Sequence, residues 1–199
     1  MINERILVKI IMDFSKAKGI LGDNFSRDAD FLSSVVSKLK LVKNSNVLDV
    51  GTGRGHMAIV LALYGYQVLT GEPEGANWAD WKTPAKKVNV EDMITFKPFN
   101  AEKIPFEDAS FDAIFLYATF HHISNKKLAL NEFLRVIKPK GVLIIIELTD
   151  EGVEVVRKRW RGHPDAVDPR THTKYLAIEA KVIESKYLNA YIYRRVINE

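Results

Sequence analysis

Short, largely apolar runs recur along the chain, separated by longer segments that mix apolar and polar residues. Four of these runs are Asn46–Val50, Tyr66–Thr70, Asp112–Leu116 and Val142–Leu148. Apolar runs of this length are typical of buried parallel strands, because such strands are covered on both faces of the sheet. The pattern therefore predicts an open α/β sheet.

Helices are predicted between and beyond these strands. His56–Tyr64 contains no helix breaker and is followed by Gly65, a residue that favours the backbone conformation found at helix ends. Lys126–Ile137 has an apolar face at helical spacing. The remaining predicted elements are the helices Glu4–Lys18 (ended by a break at Gly19–Asn24), Arg27–Leu39, Thr149–Arg161 and Thr171–Ile183, and an edge strand over Tyr187–Val196.

Three glycines at alternate positions follow the first strand, in the segment Asp49-Val50-Gly51-Thr52-Gly53-Arg54-Gly55. Glycine is favoured where the backbone turns sharply or where a ligand approaches it closely, because a Cβ would obstruct both. A strand, a glycine-rich turn and a helix form the first half of a nucleotide site in an open α/β sheet. The alternative is a tight turn without a ligand, although alternate glycines weaken a turn that has no need for close approach.

The spacing of the glycines helps to identify the nucleotide. A dinucleotide fingerprint requires glycine at the sixth position of G-x-G-x-x-G, where this chain has His56, and the third glycine comes one residue early at Gly55. The G-x-G-x-G pattern after a strand that carries Asp49 resembles motif I of the class I S-adenosylmethionine-dependent methyltransferases. In that family the loop passes along the methionine and ribose parts of the cofactor.

An acidic residue also ends the second predicted strand. Glu72 lies 17 residues after Gly55, close to the offset of roughly 20 residues at which an acid binds the ribose hydroxyls in dinucleotide folds. Glu72 is therefore predicted to bind the ribose, and Glu74 is the competing residue.

Later segments extend the resemblance over residues 46–148. Phe99–Phe106 and Ser110–Phe115 are similar to the family's "D-A-x-x-L-P-F … S-F-D" stretch, but Asn100 replaces the acid that faces the adenine amino group. An amide oxygen can still accept a hydrogen bond from that amine. The segment Tyr117–Ile123 is similar to the family's "L-H-H-L".

This resemblance implies a three-layer α/β sandwich with a Rossmann-like, mostly parallel sheet of six or seven strands and an antiparallel C-terminal strand. It implies one domain over residues 1–199, with N-terminal helices (1–45), a cofactor-binding core (46–148) and C-terminal helices with an edge strand (149–199). The implied cofactor is S-adenosylmethionine, which is released as S-adenosylhomocysteine. The implied cofactor-binding residues are Asp49, Gly51, Gly53, Gly55, Glu72, Asn100, Ala101, Leu116 and Tyr117.

The family's closest branch acts on small molecules and quinone precursors, which predicts a small-molecule acceptor. Three alternatives remain: methylation of a protein or RNA, a non-catalytic module that binds S-adenosylmethionine, and a nicotinamide oxidoreductase, which His56 disfavours. A Trp78–Trp81 segment follows the predicted ribose acid and could cover an adenine, line an acceptor pocket or anchor a loop.

Composition narrows the chemistry. The 199 residues suit one domain, and the net charge of +4 is mild, so no nucleic-acid partner is expected. No apolar run approaches the roughly 18 residues of a membrane span, and Met1–Arg5 lacks a signal-peptide layout, so a cytoplasmic protein is expected. The absence of cysteine excludes thiolate zinc sites and a Cys nucleophile within this chain.

Catalytic residues are the least predictable part. His121 and His122 follow the strand at Asp112–Leu116, and a histidine titrates in a range suited to a general base. They are weak candidates, because methyl transfer needs a base only when the acceptor must lose a proton. His163 and His172 are predicted to be isolated, exposed loop residues, and no metal site is expected.

Overall fold

The computed structural model describes residues 14–76 and 78–196. The chain forms two compact units; the first ends at Pro98 and the second begins at Phe99. The expectation of one domain over residues 1–199 stays a prediction.

The described part of the first unit contains three parallel strands and four helices. Its strands are β1 (Val47–Val50), β2 (Val68–Gly71) and β3 (Ile94–Phe96), in the order β3-β2-β1. Its helices are α1 (Phe14–Leu21), α2 (Asp23–Leu39), α3 (His56–Leu63) and α4 (Lys82–Lys87), and a 3-10 turn covers Glu91–Met93.

Burial in the first unit follows the apolar runs of the sequence. All four residues of β1 are buried, and so are the seven residues from Met57 to Leu63 in α3. A helix that is apolar on every side must be covered on every side. The glycine segment therefore lies between two buried elements, β1 and α3, which fix its two ends.

The second unit contains the remaining strands. These are β4 (Phe111–Tyr117), β5 (Ile137–Leu148), β6 (Ile178–Glu184) and β7 (Leu188–Arg195), in the order β4-β5-β7-β6. β4 runs parallel to β5, whereas β7 runs antiparallel to both β5 and β6. The helices are α5 (Lys126–Val136), α6 (Asp150–Arg157) and α7 (Arg170–Thr173), and a 3-10 turn covers Phe120–His122.

The described residues confirm the predicted α/β class: they contribute seven strands whose pairings within each unit are mostly parallel, with an antiparallel strand near the C-terminus. In the part of the chain that the structure describes, no helix has the length and apolar character needed to cross a membrane.

The C-terminal region differs from its prediction in two ways. The helix predicted over Thr171–Ile183 is wrong, because only α7 is helical there and β6 occupies Ile178–Glu184. The strand predicted over Tyr187–Val196 exists as β7, but it lies between β5 and β6, so β6 forms the edge. Charged residues of β6 such as Lys181 are exposed, and on an edge strand this exposure produces the same mixed pattern as a surface helix.

The N-terminal helices also differ in their bounds. The helix predicted over Glu4–Lys18 lies largely outside the described residues, but α1 continues through Gly19, and α2 begins at Asp23. The interruption is therefore confined to Gly22, whose positive φ of 76° suits glycine.

We predict that Gly152→Ala destabilises the second unit. A Cβ at this position in α6 would lie 2.2 Å from the carbonyl oxygen of Tyr187, which also accepts a hydrogen bond from the Thr149 amide. Overpacking of this kind lowers the free energy of unfolding by about 1–3 kcal/mol. Urea unfolding measures the change.

Gly19→Ala is the matched control, because Gly19 is also helical but has nothing within 4 Å of the new Cβ. It is expected to leave stability unchanged or raise it by up to about 1 kcal/mol, since alanine favours helices over glycine. Equal effects from the two substitutions would contradict the packing at Gly152.

Candidate functional site

The glycine segment turns the backbone directly after β1. Gly51, Gly53 and Gly55 have positive φ angles of 84°, 49° and 77°. A Cβ on Gly55 would lie 3.0 Å from the Cβ of Trp81, whereas a Cβ on Gly53 would meet nothing within 4 Å. Glycine is thus required at position 55 because Trp81 packs closely against it. The backbone at Gly53, in contrast, is open to a ligand.

A series of hydrogen-bonded, buried side chains connects this segment to β1 and β2. Thr70 donates a hydrogen bond of 2.8 Å to Oδ2 of Asp49, and the hydroxyls of Thr52 and Thr70 are 2.8 Å apart. The amide of Gly51 donates to the carbonyl of Gly71 at 3.0 Å. The segment is therefore fixed to the end of β2 by both side chains and backbone.

Asp49 is the most perturbed acid of the site. Burial raises its pKa to about 8, the hydrogen bond from Thr70 opposes the rise, and the charge of Glu72 adds to it. The group is therefore largely protonated at neutral pH. Because the same carboxyl ionises at a lower pH in the unfolded chain, the free energy of unfolding falls as the pH rises from 3.8 towards about 8. Among the described residues no group forms a hydrogen bond with its buried Oδ1.

The predicted ribose acid lies directly against the glycine segment. Oε1 of Glu72 accepts a hydrogen bond of 2.7 Å from the amide of Gly53. Its side chain is half-buried, whereas Glu74 lies in an exposed turn. The structure therefore brings together Glu72, Gly53 and the supporting Asp49, and this arrangement favours Glu72 over Glu74.

A cleft of about 450 Å³ borders the same segment. It is lined by residues from α1, α2, the glycine segment, α3, the loop before α4 and α4: Leu21, Asn24, Phe25, Arg54, His56, Ala79, Asp80 and Pro84. Its volume lies within the range of small-molecule sites, which is roughly 300–1,000 Å³. Sequence patterns gave no signal for Asn24 or Asp80, because they come from separate elements.

His56 occupies the position where a dinucleotide fingerprint has its third glycine. Its ring packs edge-on against Phe25, with centroids 5.5 Å apart. Burial is the main cause that lowers its pKa; Asp28 opposes the shift, and Arg54 and Arg27 add to it. The side chain therefore fills space against α2 that a glycine would leave empty.

Both indoles of the Trp78–Trp81 segment pack on Phe96 in β3. The ring centroids of Trp78 and Phe96 are 4.8 Å apart and those of Trp81 and Phe96 are 6.3 Å apart. Trp78 also donates from Nε1 to the carbonyl of Pro73 at 3.0 Å. These contacts support an anchoring role, and a direct ligand contact stays a prediction.

In the second unit, Asn100 and Ala101 form a local turn. The side-chain oxygen of Asn100 accepts a hydrogen bond of 2.8 Å from the amide of Glu102. Asn100 is exposed and Ala101 is buried. An amide oxygen has a second lone pair, so the predicted contact of Asn100 with adenine stays a prediction that this turn does not prevent.

Leu116 and Tyr117 lie at the carboxyl end of β4. Leu116 is completely buried, so only its backbone is available to a ligand, whereas Tyr117 is half-buried. The next residue, Ala118, has a φ of 48°, and its amide donates to Ile146 in β5. Residues other than glycine rarely adopt this conformation, and such residues cluster at functional sites.

A second group of polar side chains lies after β4. Nδ1 of His121 is 2.6 Å from Oε2 of Glu147, and the His121 amide donates to Oε1 of the same carboxylate at 3.3 Å. Both side chains are 1% exposed. The sequence signal for this pair is Glu147 itself, because a charge within an apolar buried strand requires a partner.

Two further histidines complete what we call the histidine cluster: His121, His122 and His163. The ring centroid of His121 is 4.0 Å from that of His122 and 4.8 Å from that of His163. The prediction that His163 is an exposed loop residue is wrong, because it is 6% exposed. His172 is half-buried against Phe120 rather than exposed.

His122 is the accessible member of the cluster. Burial is the largest cause that lowers its pKa, followed by the charges of His121 and His163, while Glu147 opposes the shift. Its neutral form is therefore favoured. Whether His121 or His122 acts in catalysis stays a prediction.

Comparisons with known proteins agree with this geometry. The family described as "Methyltransferase domain" matches residues 48–145. The chain is 29% identical to a demethylmenaquinone methyltransferase of Clavibacter sepedonicus over 74% of this chain and 58% of the relative. It is 30% identical to the 27-O-demethylrifamycin SV methyltransferase of Amycolatopsis mediterranei over 54% of this chain and 40% of the relative. The chain thus spans less than two thirds of the length of these relatives.

A solved structure matches over more of the chain. A SAM-dependent methyltransferase from Aquifex aeolicus is 26% identical, with a TM-score of 0.68, and the match covers 92% of this chain and 99% of that protein. The matched domain, this similarity and the predicted glycine spacing agree. Residues 48–145 thus match the methyltransferase domain of the class I S-adenosylmethionine-dependent methyltransferases, and the chain is similar to the quinone methyltransferases.

Proposed function

We propose that the protein transfers a methyl group from S-adenosylmethionine to a small-molecule acceptor. The observation that carries the proposal is the hydrogen bond between Glu72 and the Gly53 amide. It holds an acid at the end of β2 against the open backbone of the glycine segment, as a ribose-binding acid requires.

The residues of the first unit fit the cofactor. Glu72 can accept hydrogen bonds from ribose hydroxyls, and the surface beside Gly53 is open to a ligand. The unpartnered Oδ1 of Asp49 is a buried polar atom that a ligand group can satisfy. When bound, the cofactor supplies an electrophilic methyl group on a sulfonium.

In the second unit, Asn100, Ala101, Leu116 and Tyr117 are assigned to the adenine and methionine parts of the cofactor by family resemblance. Tyr117 and the backbone of Leu116 lie at the carboxyl end of β4, the end of a strand at which open α/β sheets bind ligands. The protein itself contributes mainly by positioning, which can supply much of the acceleration of a displacement.

The small-molecule acceptor is supported by the names of the relatives, which act on demethylmenaquinone, a rifamycin and sterols. The cytoplasmic location and the absence of a nucleic-acid partner remain predictions from the sequence.

Labelled cofactor tests the acceptor class. The protein is incubated with S-adenosylmethionine that carries a trideuterated methyl group, together with separated metabolite, protein and RNA fractions of a cell extract. Mass spectrometry is expected to detect the label in a small molecule. Label in the protein or RNA fraction would contradict the proposal, and so would binding of the cofactor without transfer to any fraction.

We predict that Glu72→Ala weakens binding of S-adenosylhomocysteine by about ten- to a hundredfold, because hydrogen bonds to a charged group contribute roughly 1.5–3 kcal/mol. Glu72→Gln is expected to lie between the wild type and Glu72→Ala, since an amide oxygen keeps one neutral acceptor. Calorimetric titration measures the three affinities.

Glu74→Ala is the matched control, because Glu74 is an exposed acid two residues away. Its affinity is expected to equal that of the wild type. If Glu74→Ala weakens binding and Glu72→Ala does not, the ribose acid is misassigned.

A further inference from the structure

The histidine cluster has a geometry that aromatic packing alone does not explain. One ring nitrogen from each of His121, His122 and His163 lies within 4.8 Å of the others. The three rings thus bring three nitrogen atoms that can act as metal ligands into one small space.

His121 has a fixed orientation. Glu147 contacts its Nδ1 at 2.6 Å, and a neutral ring that donates from Nδ1 to this carboxylate presents a lone pair at Nε2. That Nε2 is buried and forms no hydrogen bond with any described residue. Histidines that bind a metal through one ring nitrogen usually donate from the other nitrogen to a carboxylate or a carbonyl, which orients the ring.

His163 has a similar arrangement with a backbone partner. Its Nδ1 lies 2.8 Å from the carbonyl oxygen of Pro164. A carbonyl only accepts, so Nδ1 is the donor, and the neutral ring keeps its lone pair at Nε2.

Trp160 supports the outer side of the cluster. Its ring is stacked on His122, with centroids 6.0 Å apart and an interplanar angle of 26°, and its centroid lies 5.1 Å from that of His163. This packing explains the positions of His122 and His163. It leaves the buried, unpartnered Nε2 of His121 unexplained.

We propose that His121, His122 and His163 bind a divalent transition-metal ion of the zinc class, with Glu147 as the residue that positions His121. Imidazole is a preferred ligand of Zn²⁺, and three protein ligands leave the fourth position open. His122 is exposed, so this position faces solvent and accepts water or an oxygen, nitrogen or sulfur atom of a small molecule. The proposal is independent of methyl transfer.

The cluster must tighten to hold the ion. Zn–N bonds of about 2.0–2.1 Å in tetrahedral geometry place the ligand nitrogens about 3.3 Å apart. The nitrogens of the cluster lie at most 4.8 Å apart. Closing this difference requires side-chain rotation, which the exposed ring of His122 permits.

The metal ions themselves are the probes. The untagged, chelator-treated protein is titrated with ZnCl2 by calorimetry and with CoCl2 by visible absorption, because tetrahedral Co²⁺ gives intense bands. One ion per chain is expected, together with a rise in the melting temperature, since a ligand that binds only the folded state stabilises it.

Variants test whether zinc binds at the histidine cluster rather than elsewhere on the protein. His122→Ala alters an exposed residue and should fold normally, and His163→Ala removes a second ligand. Each is expected to weaken zinc binding by more than about a hundredfold. Glu147→Gln is expected to weaken it by about ten- to a hundredfold, because Glu147 orients a ligand and does not itself bind the ion. His172→Ala is the matched control, because this half-buried histidine lies outside the cluster, and it should bind like the wild type.

The proposal is overturned if the wild type binds no stoichiometric zinc. It is equally overturned if His122→Ala, His163→Ala and His172→Ala bind zinc with the same affinity, which would indicate nonspecific surface binding. A normal methyltransferase assay with absent zinc binding would reject the metal site and leave the proposed function intact.

Discussion

Burial of Asp49 is the constraint on which the cofactor-binding part of the structure depends. β1 is completely buried, so the carboxyl of Asp49 must find its partners within the protein. Thr70 and Thr52 form the chain that reaches it, and this chain ties the glycine segment to the end of β2. The same connection brings Glu72 to the Gly53 amide. Burial raises the pKa of Asp49 and favours its protonated form, and the charge of Glu72 adds to this rise.

The second unit also contains an acid in a buried strand, but the partner of this acid is a histidine. Glu147 lies in a β5 segment that is buried on every side, and it is held by the ring and the amide of His121. An acid within a strand thus fixes a turn in both units: the turn after its own strand β1 in the first unit, and the turn after the neighbouring strand β4 in the second. In the first unit this turn is the glycine segment, and in the second it is the 3-10 turn over Phe120–His122. Each unit thereby places polar groups at the carboxyl end of a parallel strand.

Patterns of neighbouring residues in the sequence predicted those parts of the structure that depend on neighbouring residues. The apolar runs identified β1, β2, β4 and β5, and the glycine spacing identified the segment at Gly51–Gly55, because both depend on neighbouring residues. β6 was missed because an edge strand exposes charged residues and resembles a surface helix. His163 was missed because its burial depends on contact with His121, which comes from a distant position of the chain. Asp80 in the cleft was missed because it lies in a loop, and a loop has no periodic pattern of apolar residues.

The central claim is that the glycine segment and Glu72 bind an S-adenosyl ligand rather than a dinucleotide. Calorimetric titration of the wild-type protein with S-adenosylhomocysteine and, separately, with NAD tests this claim directly. The account predicts saturable binding of one S-adenosylhomocysteine per chain and no heat of binding with NAD, because the His56 side chain packs against Phe25 where the dinucleotide fingerprint has a glycine. Tight binding of NAD with no binding of S-adenosylhomocysteine would contradict it.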